Sequence, residues 1–408
     1  MVPNDTRGGT VGRRSYLRAL GGSMALGALG TTGYLRQEDS LQFGLSTHFT
    51  SGAWVTALVE GGQFYAQDQG YDFNLFPTGG ESQKQISDIR QMVNQGYDGI
   101  VLIPFNSEAI ASVVEEAANA GVPVITCDID AATPADLMHI SWNDERATQR
   151  ATEMLISNLR EQKPDQDQYT LLEVRAPPGR DIARLRHEPF VNTIEQTEGF
   201  EVAGTVVGDW VRSTAKQRVQ EWVNANEVPD GVYSANFGMS LGALSALREM
   251  GATAPRGEDG HVVMTQLDGS KNTHEAIKNG FIDGAVDQPN YFYAPLAFAW
   301  LERVVNQGED VLPDVGSTVV SGKGADRETT TANATTTAAT QQQASITIDP
   351  AMHKGVELWQ EPIWSPATVG EALGHRQFVT DHVVITEENA DAPYLWGNIW
   401  SPGESVEN

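Results

Sequence analysis

Seven short segments, each starting where an apolar run gives out, hold the side chains able to do chemistry. In chain order they are Ser46–Trp54, Thr126–Asp130, Ala183–Phe190, Gly208–Trp210, Ala235–Met239, Gln266–Gly269 and Val286–Asn290. Within them stand Trp54, Asp128, Arg186, Trp210, Asn236, Asp268, Asp287 and Gln288. Carboxylate, amide and guanidinium groups are planar and can make paired hydrogen bonds to vicinal hydroxyls. The two indoles can stack on the C–H face of a sugar ring. This is carbohydrate chemistry without a nucleophile. Taken singly, each residue has a plainer use. Asp128 or Asn236 can cap the following helix, Arg186 can pair with Glu188, and either tryptophan can be core. Their recurrence at successive segment ends favours one shared site.

Other chemistries lack their residues. The chain has no Walker A, no G-x-S-x-G elbow, no H-E-x-x-H, and no G-x-G-x-x-G following a strand. Its 8 His are scattered, and none pairs with another His or with the lone Cys127 at ligand spacing. No metal and no cofactor is therefore expected, and His139 and His261 read as structural. A single cysteine excludes an intrachain disulfide framework.

The elements that must position these residues form one repeated unit. Apolar runs at Leu41–Leu45, Tyr71–Phe76, Gly99–Ile103, Val122–Thr126 and Leu137–Ser141 alternate with helical patterns at Val55–Gln69, Ser82–Gln95 and Ser107–Ala120. The alternation resumes from Tyr169–Val174 and runs to Tyr291–Val305. Strand–helix repetition predicts an α/β fold of parallel sheets with helices on both faces. So many units exceed one sheet, so two doubly wound lobes are expected, with ligand beyond the strand C-termini.

Charge narrows the partners. The 27 Lys+Arg against 54 Asp+Glu leave a net charge of −27. Such a surface repels phosphate backbones, which excludes nucleic acid. Acid excess with only 7 Lys against 20 Arg suits a halophilic, archaeal protein working in molar salt, where the Debye length shrinks to about 3 Å. Near the N-terminus, Arg13-Arg14-Ser15-Tyr16-Leu17 precedes a Gly/Ala/Leu-rich stretch ending near Gly33. It is similar to a twin-arginine export signal and predicts an extracytoplasmic protein.

Several of these stretches together resemble the ribose/galactose-type periplasmic sugar-binding proteins of ABC transporters. They are Tyr97–Pro104, Ala120–Asp128, Asn236–Ala243 and Val286–Pro289, with Phe378–Asn389 similar to the family's closing strand. The resemblance covers residues 41 to about 306. It implies a type I periplasmic binding protein fold, two lobes joined by three crossovers, near Ile140–Asn143, near Val286–Gln288 and before Val383. It implies a sugar held by Trp54, Asp128, Arg186, Trp210, Asn236, Asp268 and Gln288, or Asp287 if the last match shifts by one. Ile129 stands where the ribose-binding pattern has arginine, which points to a sugar other than ribose. The implied partners are an ABC permease and its ATPase subunits, with the chain itself a monomer and not an enzyme. Two other classes compete. A sugar-responsive regulator would need a helix-turn-helix where the export signal lies, and a secreted α/β enzyme would need a nucleophile. A signalling binding protein shares every feature so far.

The expected organisation is then a signal and linker at 1–38, a first lobe of 39–141 with 288–325, and a second lobe of 142–287 with 346–390. A Thr-rich insertion occupies 326–345 and carries the sequon Asn333-Ala334-Thr335; an aromatic, acidic tail occupies 391–408. A site open to solvent implies that removing Arg186 weakens binding without unfolding the chain.

Overall fold

The computed structural model describes residues 40–49, 52–322, 343–353 and 355–400. The stretch read as signal and linker, 1–38, the sequon at Asn333 and the last eight tail residues lie outside them. So does the Thr-rich insertion except for residues 343–345, which open a strand.

Two sheets carry the fold, and both are dominated by parallel pairs. The first runs β1(Gln42–Thr47), β2(Asp72–Pro77), β3(Gly99–Leu102), β4(Val124–Cys127) and β5(Met138–Trp142). Their connecting helices are α1(Ala53–Asp68), α2(Ser82–Gln95) and α3(Ser107–Asn119). The second sheet holds β6(Tyr169–Arg175), β7(Phe200–Val207), β8(Gly231–Ser234), β9(Val263–Leu267) and β10(Gly284–Asp287). Around it lie α4(Asp144–Gln162), α5(Asp181–Leu185), α6(Glu188–Glu195), α7(Arg212–Ala225), α8(Phe237–Glu249) and α9(Lys271–Lys278). Strands β3, β4, β8 and β10 are buried along their whole length, as expected of parallel strands covered on both faces. Helix starts are set locally: Asn106, Asn143, Asn236 and Ser270 each accept a hydrogen bond from the amide three residues on.

The late chain departs from the expectation. Residues 346–390 read as second lobe, but β15(Ala367–Ala372) and β16(His375–Thr380) pair in the first sheet, and only β17(Val383–Ile385) pairs in the second. A turn of left-handed residues, Leu373 and Gly374, closes β15 and β16 into a hairpin. β16 then pairs parallel to β5 and puts Phe378 into the first core. The stretch that reads as one closing strand is thus two, split at Asp381-His382 between the sheets. β11(Thr318–Ser321) and β12(Gln343–Ile346) extend the first sheet to nine strands, ordered β12-β11-β15-β16-β5-β4-β3-β1-β2. A separate hairpin pairs β13(Ala351–His353) with β14(Val356–Leu358).

The chain passes between sheets three times: from β5 into α4, from β10 into α10(Asn290–Gln307), and from β16 into β17. Helix α10 is buried on nearly every face and packs against α1 and the first sheet. The tail ends in α11(Trp396–Trp400), with Trp396 and Trp400 buried in the first core. It also touches the second lobe: Asn398 Oδ1 lies 2.9 Å from His274 Nδ1, and the Phe237 and Trp396 rings meet edge to face.

Candidate functional site

Three of the candidate residues have left-handed backbones: Asp128 (φ 63°) and Asp268 (φ 60°) directly after β4 and β9, and Trp210 (φ 62°) three residues beyond the end of β7. Asp tolerates this region, but for a bulky tryptophan it is costly. Such a residue turns the chain sharply off the strand. The turns place these side chains at the strand C-termini, where doubly wound sheets take ligand.

Arg186 is the centre of the arrangement. It caps the C-terminus of α5 and is only 2% exposed. Its Nε donates to Asp144 Oδ1 at 2.7 Å, and its Nη1 donates to Asp268 Oδ2 and to the Ala235 carbonyl, both at 2.9 Å. The guanidinium lies over the Trp142 ring at 5.4 Å and the Trp210 ring at 5.7 Å. Burial opposes its charge, but Asp268 and Asp144 outweigh burial and hold its pKa above the ordinary value. Among the described residues, Nη2 makes no hydrogen bond. The pairing with Glu188 that the sequence allows is made instead by Arg184, at 3.0 Å.

Behind Arg186 a second layer is fully engaged. Gln288 donates from Nε2 to Asp268 Oδ1 at 2.6 Å and accepts from the Tyr293 hydroxyl at 3.0 Å. Both Asp268 oxygens and both ends of the Gln288 amide are therefore occupied within the protein. Asp287 faces the hinge: its Oδ1 accepts from the amides of Gly269 and Gln288 and from Trp396 Nε1. Burial, reinforced by the Asp268 charge, pushes its pKa up to about 7.

The opposite wall comes from the first lobe and is aromatic. Trp54, at the start of α1, meets the His48 ring edge to face, and its carbonyl accepts from Asn290 Nδ2 at 2.9 Å. The buried indole nitrogen of Trp54 has no hydrogen-bond partner. Phe49, 41% exposed, packs on His48 and Phe105. Burial, assisted by the Arg180 charge, lowers the His48 pKa to about 3, so that ring is neutral. Asp128 supplies its carboxylate. Burial pushes its pKa up to about 7, while Arg186 pulls it down and Asp144 and Asp268 push it up. That carboxylate accepts no hydrogen bond among the described residues. Arg180 Nη2 reaches across from the second lobe to the Phe105 carbonyl at 3.4 Å.

The candidates thus fall into two groups. Arg186 and Asp128 keep groups without a partner, and Trp54 and Trp210 are partly exposed. Asn236 uses Oδ1 to cap α8, which leaves its amide nitrogen. Asp268, Gln288 and Asp287 are committed inside the protein. Sequence reasoning missed Asp144, Trp142, Tyr293 and Arg180. Asp144 had a signal, since it opens a helix directly beyond a strand end; Arg180 sits in a loop with none.

The structure also brings together Asp130, Asp136 and His375, whose ligating atoms lie within 4.8 Å of one another. These residues could hold a metal ion. The expectation of no metal considers only His and Cys spacing and does not weigh the two carboxylates of the β4–β5 loop, which meet a histidine from β16. Among the described residues no helix is long and apolar enough to cross a membrane.

Comparison with known proteins supports this architecture. The periplasmic binding protein domain family matches residues 43–310. A xylitol-binding protein of Mycolicibacterium smegmatis is 23% identical over 299 residues, covering 72% of this chain and 81% of its own length. The ribose import binding protein of Bacillus subtilis is 24% identical over 260 residues, covering 64% and 80%. Among solved structures, an ABC transporter periplasmic solute binding protein of Actinobacillus succinogenes with bound D-allose superposes with a TM-score of 0.64. It is 14% identical and covers 86% of this chain and 99% of its own. With a family match over most of its length and two parallel sheets linked three times, the chain belongs to the periplasmic binding proteins, in their type I architecture.

Proposed function

We propose that this chain is the extracytoplasmic substrate-binding component of an ABC sugar transporter. It closes its lobes on one monosaccharide or related polyol and delivers it to the permease, which is driven by its ATPase subunits. The observation that carries this reading is Arg186: buried, ion-paired on two sides, roofed by two indoles, and left with one amino group, Nη2, for a ligand. Asp128, Trp54, Trp210 and Asn236 complete the contacts, while Asp268 and Gln288 hold the arginine in place. The names of the xylitol- and ribose-binding relatives support a small polyhydroxy ligand. Binding shifts a hinge equilibrium, and only the closed form presents the permease-binding surface. The chain works as a monomer without catalysis. Export by the twin-arginine route and function in molar salt belong to the same reading, supported by the paired arginines and the −27 charge.

A thermal-shift screen against sugars and polyols in molar KCl tests it. A ligand at 100 times its dissociation constant adds about 2.7 kcal/mol of stability. If no carbohydrate or polyol stabilises the chain, the ligand class is wrong. Repeating the melt in 50 mM salt tests the halophilic part, which predicts a marked loss of stability.

A further inference from the structure

We propose that residues 390–400, beyond the strand β17, form a strap between the lobes that limits how far they can part. Its anchors change lobe within a few residues. Ala390 and Leu395 are buried in a core of the second lobe, whereas Trp396, Ile399 and Trp400 are buried in the core of the first. The chain thus crosses between lobes at Leu395-Trp396, in addition to the three passages that link the sheets.

Where α11 lies decides what the crossing does. It touches the second lobe at the strand C-termini, the side that faces the first lobe. Trp396 Nε1 donates to Asp287 Oδ1, at the end of β10, at 2.9 Å, and the Trp396 ring meets that of Phe237, which opens α8. Gly397 passes so close to the start of α9 that an added Cβ would lie 2.7 Å from the Lys271 nitrogen and the Ser270 carbonyl carbon. On its other side α11 packs against α1. There the Trp400 ring meets that of Tyr291 at 5.1 Å, and the Tyr291 hydroxyl donates to the Tyr394 carbonyl at 2.8 Å. The helix is lodged between facing surfaces, and surfaces that separate must leave it on one side.

The two grips differ in kind. In the first lobe α11 is held by three large buried apolar side chains, whose exposure to water is strongly unfavourable. In the second lobe it is held by hydrogen bonds, and Asn398 makes most of them. Its Oδ1 lies 2.9 Å from His274 Nδ1, and its Nδ2 donates to the Ala390 and Ala392 carbonyls at 2.9 Å. One side chain therefore ties the first-lobe end of the strap back to its second-lobe end. Opening with α11 fixed in the first core breaks the Trp396 bond to Asp287 and all three bonds of Asn398. A narrower range of opening leaves more of the ligand-free population near the closed form, so less affinity is lost to closure. The strap itself does not depend on the ligand being a sugar.

The alternative is a tail that is simply part of the first lobe and leaves opening unrestricted. Spin labels on cysteines introduced by Glu108→Cys and Ser213→Cys, at exposed positions of α3 and α7, distinguish the two, because the native Cys127 is buried. The interlobe distance is measured by double electron–electron resonance on the full ligand-free chain in molar KCl. Wild type should give one narrow distribution. Asn398→Ala, which removes three bonds and adds no bulk, should broaden it and move it several ångströms longer. Gly397→Val, which wedges α11 away from α9, should do the same. Should either fail to fold, Trp396→Phe, which keeps an aromatic ring and loses the donor to Asp287, must shift in the same direction. Coincident distributions for wild type and folded Asn398→Ala would overturn the strap, as would a broad, open distribution in wild type itself.

Discussion

The two walls of the cleft are built on opposite principles. The second-lobe wall is a charged network that the protein completes by itself. Arg186 is buried with Asp144 and Asp268, and Gln288 and Tyr293 stand behind them. The first-lobe wall is a set of rings, His48, Phe49, Trp54 and Phe105, with Asp128 as its carboxylate. A charge taken out of water must be paired wherever it sits, whereas an aromatic face loses little by waiting in solvent. The charged wall is therefore set before ligand arrives, and the aromatic wall depends on closure for its burial.

If this contrast is right, the largest effect comes from breaking the charged wall. Arg186→Ala removes two ion pairs and leaves Asp144 and Asp268 buried without their partner. It should cost about 3 to 5 kcal/mol of folding stability and about 2 to 5 kcal/mol of sugar binding. The first figure departs from the sequence reading, in which the site is open and Arg186 contributes only to binding; burial makes it part of the fold. Denaturant titration of the ligand-free chain and calorimetric titration with sugar measure the two losses. Wild-type stability in this variant would show that the network is not prepaid.

Asp287 gives the next effect, through pH. Its folded pKa is raised to about 7 by burial and by the Asp268 charge, while an unfolded aspartate titrates near 3.9. Folding therefore takes up a proton between those values. The favourable contribution is complete below about pH 4 and is lost as pH rises through 7. In Asp287→Asn that loss should disappear, a gain on the order of 4 kcal/mol over wild type at pH 8 relative to pH 4. Parallel stability curves for the two proteins would contradict the shift.

A smaller loss is expected from Trp210→Ala, because the indole is partly exposed and covers only one side of Arg186. About 1 to 2 kcal/mol of binding should go with the aromatic face, with a smaller change in the stability of the ligand-free chain. A stability loss equal to that of Arg186→Ala would place Trp210 inside the charged network.

How far the sequence revealed these walls depended on distance along the chain. Strand, turn and helix follow one another within 30 residues or so, and their periodicity and Gly or Asn caps made the alternating units legible. The polar residue beyond a strand end was legible for the same reason, which is how Asp128, Asn236 and Asp268 could be picked out; Arg186, read in the same way, instead closes the short helix α5. Which of them would face outward was not. That Asp268 is spent on Arg186 and Gln288, or that Asp287 anchors Trp396, depends on contacts across 20 to 109 residues. The β15–β16 hairpin was misplaced because its alternating pattern fits an added strand on either sheet. The Asp130–Asp136–His375 cluster was missed because His375 lies 245 residues from its Asp130 partner.

The mildest test lies on the aromatic wall. Phe49 is 41% exposed, and it is held by ring contacts to His48 at 4.6 Å and Phe105 at 5.9 Å. Such a side chain gains little from folding, so Phe49→Ser should change the stability of the ligand-free chain by less than about 0.5 kcal/mol. In the closed form the same ring is expected to lose its remaining water contact. Binding should then weaken by about 1 kcal/mol, since roughly 25 cal/mol of stabilisation goes with each Å² of apolar surface kept from water. The informative quantity is the ratio of the two losses. For Arg186→Ala stability and binding fall together; for Phe49→Ser binding should fall and stability should not. Calorimetry and denaturant titration on the same variant provide both values. A stability loss as large as the binding loss would mean that the aromatic wall, too, is set before ligand arrives.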